Sequence, residues 1–390
     1  MLPEYYEFHC PTKILSGRKA LPNIPHELAQ RGASKPMVVT DKGIVKAGLL
    51  DHLKAALAGS RIGLDTIFDA VPVDSSNRVV NQAAEAFRQG GCDSFIAVGG
   101  GSVIDTAKGA NIVVSEGSND LLEFQGVDRL RADMKPLVVV PTTAGTGSEV
   151  TPAAIIYNEE TGLKMAFMSG RLSPHVAVID PVMTLTMPAG ITAATGMDAL
   201  THAIEAFTCL QKNPVSDAFA TKAIELVFRH LVDAVETPKD QRVRLGMANA
   251  ALLAGIAFSN SMVGLVHSLA HATGGVCHVP HGVANGIFLP WVMAYNLARI
   301  PNLLAQLGAL LGADEKGAEL ERAQFAIEKV RDLQLHLKRL TGLPTNLREA
   351  GVSEEKLEAI AEAAMNDGAV TYNPEEADRN DMLSLLRKAY

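Results

Sequence analysis

The chain has 390 residues, 47% of them apolar, enough for two or three domains, each with its own core. Lys and Arg number 35 against 43 Asp and Glu, a formal charge of −8 with no Lys/Arg run, which argues against a nucleic-acid scaffold and against adhesion to an anionic membrane. Cys10, Cys92, Cys209 and Cys277 are dispersed without a C-x-x-C pair, so neither a disulfide framework nor a cysteine-type zinc site is expected.

The acidic start, Met1 to Glu7, lacks the basic-then-apolar pattern of a targeting segment, and a cytoplasmic protein is expected. Over residues 1–185, short apolar runs beside Gly, Pro or Asp alternate with helical patterns. The runs Met37–Thr40, Ile62–Phe68, Ser94–Val98, Pro136–Val140 and Val176–Ile179 read as buried parallel strands. Leu49–Leu57 and Arg78–Gln89 read as helices between them, giving βαβ units of a Rossmann-like α/β domain. Over residues 186–390 the strand signals stop. Ala193–Cys209, Ser216–Val235, Arg242–Phe258, Leu265–Thr273 and Ala318–Arg339 have helical spacing, and Asn213-Pro214, Thr237-Pro238, Pro280 and Pro290 read as breakers, so the second domain is expected to be all-α. The most apolar stretch, Met247–Leu265, is interrupted by Asn and Ser and reads as a buried helix, not a membrane span. Its small residues around Ala248–Gly255 fit close helix packing or an interface between copies.

Two turns in the first domain are suited to phosphate. The strand Ser94–Val98 runs into Gly99, Gly100, Gly101 and Ser102 and then into a helix, whose unpaired N–H groups favour an anion. The alternative is a tight turn capped by Ser102. The next strand leads into Thr142, Thr143, Thr146, Ser148 and Thr151 with two glycines between, either a second phosphate-binding turn or a loop satisfying its own backbone. Asp41 ends the strand Met37–Thr40, where a carboxylate accepts ribose hydroxyls and repels a 2′-phosphate, unless it only caps a turn.

The helical half carries a metal-like pattern. Asp198 and His202 stand at i and i+4, as do His267 and His271, with His278 and His281 close behind. One carboxylate and several imidazoles suit a divalent first-row ion and disfavour Ca²⁺; packed or capping histidines are the alternative. Spacing leaves open whether His271, His278 or His281 completes the set.

These segments, Gly99–Asp105, Pro141–Glu149, Gly196–His202 and His267–His271 through Pro280-His281-Gly282, resemble in kind and order the iron-containing (group III) alcohol dehydrogenases, along most of the chain. The resemblance implies a dehydroquinate synthase-like architecture, an active site in the cleft between the domains, and a homodimer or larger homo-oligomer. It implies metal ligation by Asp198, His202, His267 and His281, with Fe²⁺ expected and Zn²⁺ as the alternative. It puts His271 beside the nicotinamide and substrate, where it could relay protons. Gly99, Gly100, Gly101, Ser102, Thr142 and Thr143 fall on the cofactor phosphates and nearby sugar, with Thr151 grouped beside them. Asp41 favours NAD over NADP, and Lys164 falls by the nicotinamide ribose. The implied reaction is hydride transfer between a small primary alcohol or diol and the nicotinamide, with the metal as Lewis acid on the substrate oxygen. Rival readings are a glycerol dehydrogenase, a dehydroquinate synthase-like lyase and a non-catalytic sensor. The lyase would need basic residues for a phosphorylated substrate, whereas Phe258, Ser259, Asn260, Met262 and Val263 supply none.

Overall fold

A computed structural model describes residues 3–390. Residues 1 and 2, where the expected first domain and the acidic start begin, lie outside the described residues. The chain divides into two compact units, one spanning His9–Met187 and the other Pro188–Tyr390 together with the described residues before His9.

The first unit holds nine strands: β1 (Lys13–Ser16), β2 (Pro36–Val39), β3 (Thr66–Phe68), β4 (Ser94–Gly99), β5 (Gly126–Val127), β6 (Leu137–Pro141), β7 (Ala153–Asn158), β8 (Leu163–Met168) and β9 (Val176–Ile179). Six form one parallel sheet in the order β1-β9-β6-β4-β2-β3. Its middle strands are apolar on both faces because both are covered. Met37, Val39, Phe95 and Ala97 pack with Val80, Phe87, Ile104 and Ile112 of the helices Asn77–Gln89 and Gly101–Ser115. The alternate residues Val38, Ile96 and Val98 pack with Leu28, Leu50 and Leu53 on the other side. Since β2, β4 and β6 are adjacent and parallel, the three segments singled out as cofactor turns leave the same edge of the sheet side by side. All five expected strands are present, Val176–Ile179 with the expected bounds and the other four with shifted ends. The edge strand β1 and the smaller sheet β5-β8-β7, built on the antiparallel β7–β8 hairpin, were not expected.

Among the described residues the second unit has no strand. Its α-helices are Ala189–Thr208, Pro214–Glu236, Gln241–Ser259, Leu265–Cys277, His281–Asn296, Pro301–Leu310, Glu319–Thr341, Leu357–Met365 and Arg379–Lys388. The Asn213-Pro214 pair does mark a boundary: Asn213 caps the helix that Pro214 opens. Pro290, expected to break a helix, lies inside His281–Asn296. A proline withholds the N–H that would bond the carbonyl four residues back. That carbonyl, on Gly286, instead accepts from Gln334 Nε2 at 3.0 Å, so the helix continues without an unsatisfied group. No helix among the described residues is long and apolar enough to cross a membrane.

Candidate functional site

In the second unit, Asp198, His202, His267 and His281 each offer one donor atom, all within 4.8 Å of one another. Asp198 and His202 share a face of the helix Ala189–Thr208, and His267 enters from the first turn of Leu265–Cys277. His281 is the first residue of its helix, which approaches Asp198 closely because residue 282 is glycine: a Cβ there would stand 2.4 Å from the Ala194 carbonyl oxygen. His202 stacks on Phe258, ring centroids 4.4 Å apart.

Asn285, one turn after His281, points its amide nitrogen into the cluster. It donates to Asp198 Oδ1 at 2.7 Å and lies 3.1 Å from His281 Nε2 and 3.3 Å from His267 Nε2. Glu205 backs the cluster: its Oε2 is 2.5 Å from His267 Nδ1 and its Oε1 accepts the Val266 N–H at 2.7 Å. His271 projects beside the cluster with its side chain 41% exposed; its Nδ1 meets Asp367 Oδ2 at 2.8 Å and its ring stacks on that of His281. His278 is exposed, in a left-handed conformation at the helix end, and takes no part.

The electrostatics favour cation binding. Burial holds His267 and His281 well below the ordinary imidazole range, each also opposed by neighbouring imidazoles. Burial works against the charge of Asp198, but His202, His281 and His267, with the Asn285 hydrogen bond, bring its carboxyl below the usual range. An ionised Asp198 beside neutral His267 and His281 leaves each of these three with a lone pair to donate to a metal. Two buried atoms of the cluster find no hydrogen-bond partner among the described residues, His202 Nδ1 and Asn285 Oδ1. An orphaned imidazole nitrogen 3.9 Å from Asp198 Oδ1 is what a site shaped around an ion leaves when the donors are considered alone. The donor set therefore fits a divalent first-row ion.

In the first unit, the glycine turn between β4 and the helix Gly101–Ser115 is close-packed against the threonine turn after β6. A Cβ on Gly100 would lie 3.2 Å from Thr143 Oγ1, and one on Gly101 3.0 Å from Thr146 Cγ2. Ser102 does not cap this helix. Gly100 is the N-cap and offers no side-chain bond, while Ser102 Oγ accepts from the Asp74 N–H at 3.3 Å. The first N–H groups of the helix thus have no side-chain acceptor from a cap, which suits an anion. The Thr142 N–H is bonded to the Gly99 carbonyl at 3.0 Å, tying the two turns together. Asp41 does cap a short helix, accepting the Ile44 N–H at 2.9 Å, and Lys164 on β8 is ion-paired to Asp74 at 2.7 Å.

Thr151 is buried, and its hydroxyl accepts from Lys108 Nζ at 3.0 Å. Lys108, unnoticed in the sequence, also donates to the carbonyls of Ser148, Thr151 and Ala153, each at 2.8 Å. Asp105, one turn before it, accepts the Ser148 hydroxyl at 2.6 Å and the Ile155 N–H at 3.1 Å. Together these two residues brace the turn from inside the glycine-turn helix.

Burial pushes the Glu149 carboxyl in this turn up to about 7 from the ordinary 4.5. Between those values the folded chain keeps a proton that the unfolded chain has released, so this residue's stabilising share is complete at low pH and is lost as pH rises through the interval. Relative to Glu149→Gln, which has no such proton, the wild type should lose up to about 3 kcal/mol on going from pH 4.5 to pH 7.5. Thermal unfolding of the two chains across that range tests it, and melting temperatures that run parallel would refute it.

Comparison with known proteins places the chain in a family. The family description "Iron-containing alcohol dehydrogenase" matches residues 11–181, and "Fe-containing alcohol dehydrogenase family, C-terminal" matches residues 192–390. A 1,3-propanediol dehydrogenase of Citrobacter freundii is 37% identical over 393 residues, covering 99% of each chain. An NAD-dependent methanol dehydrogenase of Bacillus methanolicus is 36% identical over 387 residues, covering 98% of this chain and 99% of that one. The crystal structure of a 1,3-propanediol oxidoreductase superposes with a TM-score of 0.95 at 37% identity, covering 99% of this chain and 100% of the other.

Proposed function

The chain belongs to the iron-containing alcohol dehydrogenase family, and from that premise we propose that it interconverts a small primary alcohol or diol and the corresponding aldehyde, using NAD and a divalent ion, iron in the first instance. It is an alcohol oxidoreductase by family. The observation that carries the finer reading is the convergence of Asp198, His202, His267 and His281, one carboxylate and three imidazole donors within 4.8 Å of one another. An ion held there would supply Lewis acidity to the substrate oxygen, and the nicotinamide would exchange the hydride.

The protein's own groups do the rest. The uncapped helix start at Gly101 and Ser102, beside Gly99, Gly100, Thr142 and Thr143, would hold the cofactor diphosphate. Thr151 would act through the shape of its turn, since its hydroxyl is engaged by Lys108. Asp41, at the end of β2, would meet the adenosine ribose and disfavour a 2′-phosphate, supporting NAD over NADP. Lys164 would leave Asp74 to approach the nicotinamide ribose. His271, whose Nδ1 is bound to Asp367, has Nε2 left to pass a proton between the reacting hydroxyl and water. Among the described residues, the partners seen for the four clustered side chains are Glu205, Asn285 and one another, an arrangement that suits an uncharged alcohol better than a phosphate ester. The four unpaired cysteines support a reducing compartment such as the cytoplasm.

The test is an absorbance assay at the nicotinamide band. The protein would be loaded anaerobically with Fe²⁺ or Zn²⁺ and offered ethanol, butanol, 1,3-propanediol and glycerol, or their aldehydes, with NAD and with NADP. Turnover of a small alcohol with NAD is expected, abolished by a chelator and restored by one ion. His271→Ala should slow the reaction and flatten its pH–rate profile. Absence of turnover with every alcohol and aldehyde and both nucleotides would rule the reading out, and preference for glycerol would move it to that substrate.

A further inference from the structure

We infer that Glu205 is the positioning residue that sets the tautomer and ring orientation of His267, and through it how tightly the cluster holds a divalent ion. The inference rests on the reading of the cluster as a metal centre and adds to it a carboxylate that is not a ligand.

Glu205 extends the pattern of Asp198 and His202 one turn along the helix Ala189–Thr208, and it is only 4% exposed. Both of its oxygens are committed. Oε1 accepts the Val266 N–H at 2.7 Å, at the start of the helix that carries His267, and Oε2 lies 2.5 Å from His267 Nδ1. Residue 264 has to be small: a Cβ on Gly264 would sit 3.2 Å from Oε1. The opposite ring nitrogen, Nε2, lies 3.3 Å from the Asn285 amide nitrogen, which itself donates to Asp198 Oδ1 at 2.7 Å, so Nε2 is the atom that faces the cluster. Burial pushes the Glu205 carboxyl up to about 7, so the comparison belongs above that pH, where both oxygens, one on the Val266 N–H and one at Nδ1, can only accept. The proton of neutral His267 therefore sits on Nδ1, and the Nε2 lone pair points where an ion would be.

A glutamine at 205 has the same shape but one oxygen instead of two. Turned one way, its NH₂ faces Nδ1, which drives the ring proton to Nε2 and closes the lone pair. Turned the other way, the NH₂ meets the Val266 N–H, two donors head to head in a buried site. Only a carboxylate satisfies both neighbours and leaves Nε2 free to bind.

The experiment compares the full-length wild type with Glu205→Gln in metal-free form. Co²⁺ is titrated against a competing chelator and followed by its visible absorbance. The tautomer of His267 is read from imidazole ¹⁵N shifts, its signal being the one that His267→Gln removes. We expect Nδ1–H in the wild type, Co²⁺ binding weakened about 10–100-fold in Glu205→Gln, and a loss of the Nδ1–H signature there. A purely structural role would lower the melting temperature and leave the tautomer unchanged. Equal Co²⁺ affinity in the two chains, or a wild-type His267 protonated on Nε2, overturns the inference; the second result needs no variant and stands even if Glu205→Gln does not fold. A wild type that takes up no Co²⁺ at all overturns the metal reading itself and this inference with it.

Discussion

His281→Ala should yield a folded protein that neither retains a divalent ion nor oxidises an alcohol. The side chain is one-third exposed, at the first position of its helix, so truncation empties little packed volume and leaves the helix start in place. The donor set falls from four to three, and Asp198 loses one of the imidazoles that keep its carboxyl ionised. Lewis-acid assistance contributes several kcal/mol to a transition state, so kcat/KM should drop by roughly 10³-fold or more. His267→Ala should lose as much activity and also melt earlier without metal, because the buried Glu205 is then left without the ring it faces. Metal content by mass spectrometry, read beside the rate of NAD reduction, decides the matter. A metal-free His281→Ala protein with wild-type turnover would remove the ion from the chemistry altogether.

Lys108→Met should be the most damaging single change in the first unit. The lysine is 1% exposed, and its three protons serve four oxygens on the Ser148–Ala153 turn. Burial lowers it to about 8, with Asp105 and Glu149 acting in the opposite sense, so it remains an ammonium at neutral pH. Methionine fills much the same volume but leaves three carbonyls without that donor and Asp105 without its nearby positive charge. Removing one partner of a buried ionic network costs about 3–5 kcal/mol, which for a unit of this size lowers the melting temperature by roughly 10 °C. The turn it braces packs on the glycine turn, so NAD should bind about tenfold more weakly, a loss of roughly 1.4 kcal/mol. Calorimetry gives both quantities. A variant that melts within about 2 °C of the wild type and binds NAD as tightly would show that the turn holds itself.

The strands that could be read from sequence were those whose surroundings are apolar on both sides. Met37–Val39, Ser94–Gly99 and Val176–Ile179 are buried throughout and appear as unbroken apolar runs. Lys13–Ser16 is an edge strand that is mostly exposed, and its composition carries no such run. The β7–β8 hairpin turns through Glu159 to Gly162 without an Asn-Gly or Asp-Gly pair, so its usual signal is missing. The helix His281–Asn296 was hidden by Pro290, whose cost is met by Gln334, 44 residues further on. At the cluster, the i, i+4 pairs disclosed Asp198, His202 and His267 as candidates because ligand pairs on one helix face leave a local pattern. His281 could not be separated from His271 and His278 by spacing, and only the family resemblance singled it out. Glu205, Asp367 and Lys108 act through partners 40 to 96 residues away, a relation with no local signature, whereas Asn285 stands at i+4 from His281, a spacing the sequence did offer.

The pairing of β1 with β9 bears on how the protein is made. Among the described residues the sheet neighbour of Lys13–Ser16 is Val176–Ile179 alone, so nearly the whole first unit must be synthesised before this strand has that partner. At ordinary rates of translation that interval lasts on the order of 10–30 s, with the early strand unmatched throughout. Closure of this sheet edge is thus a late, long-range event in biogenesis, and truncation just before residue 176 should leave a nascent chain that chaperones hold and proteases clear.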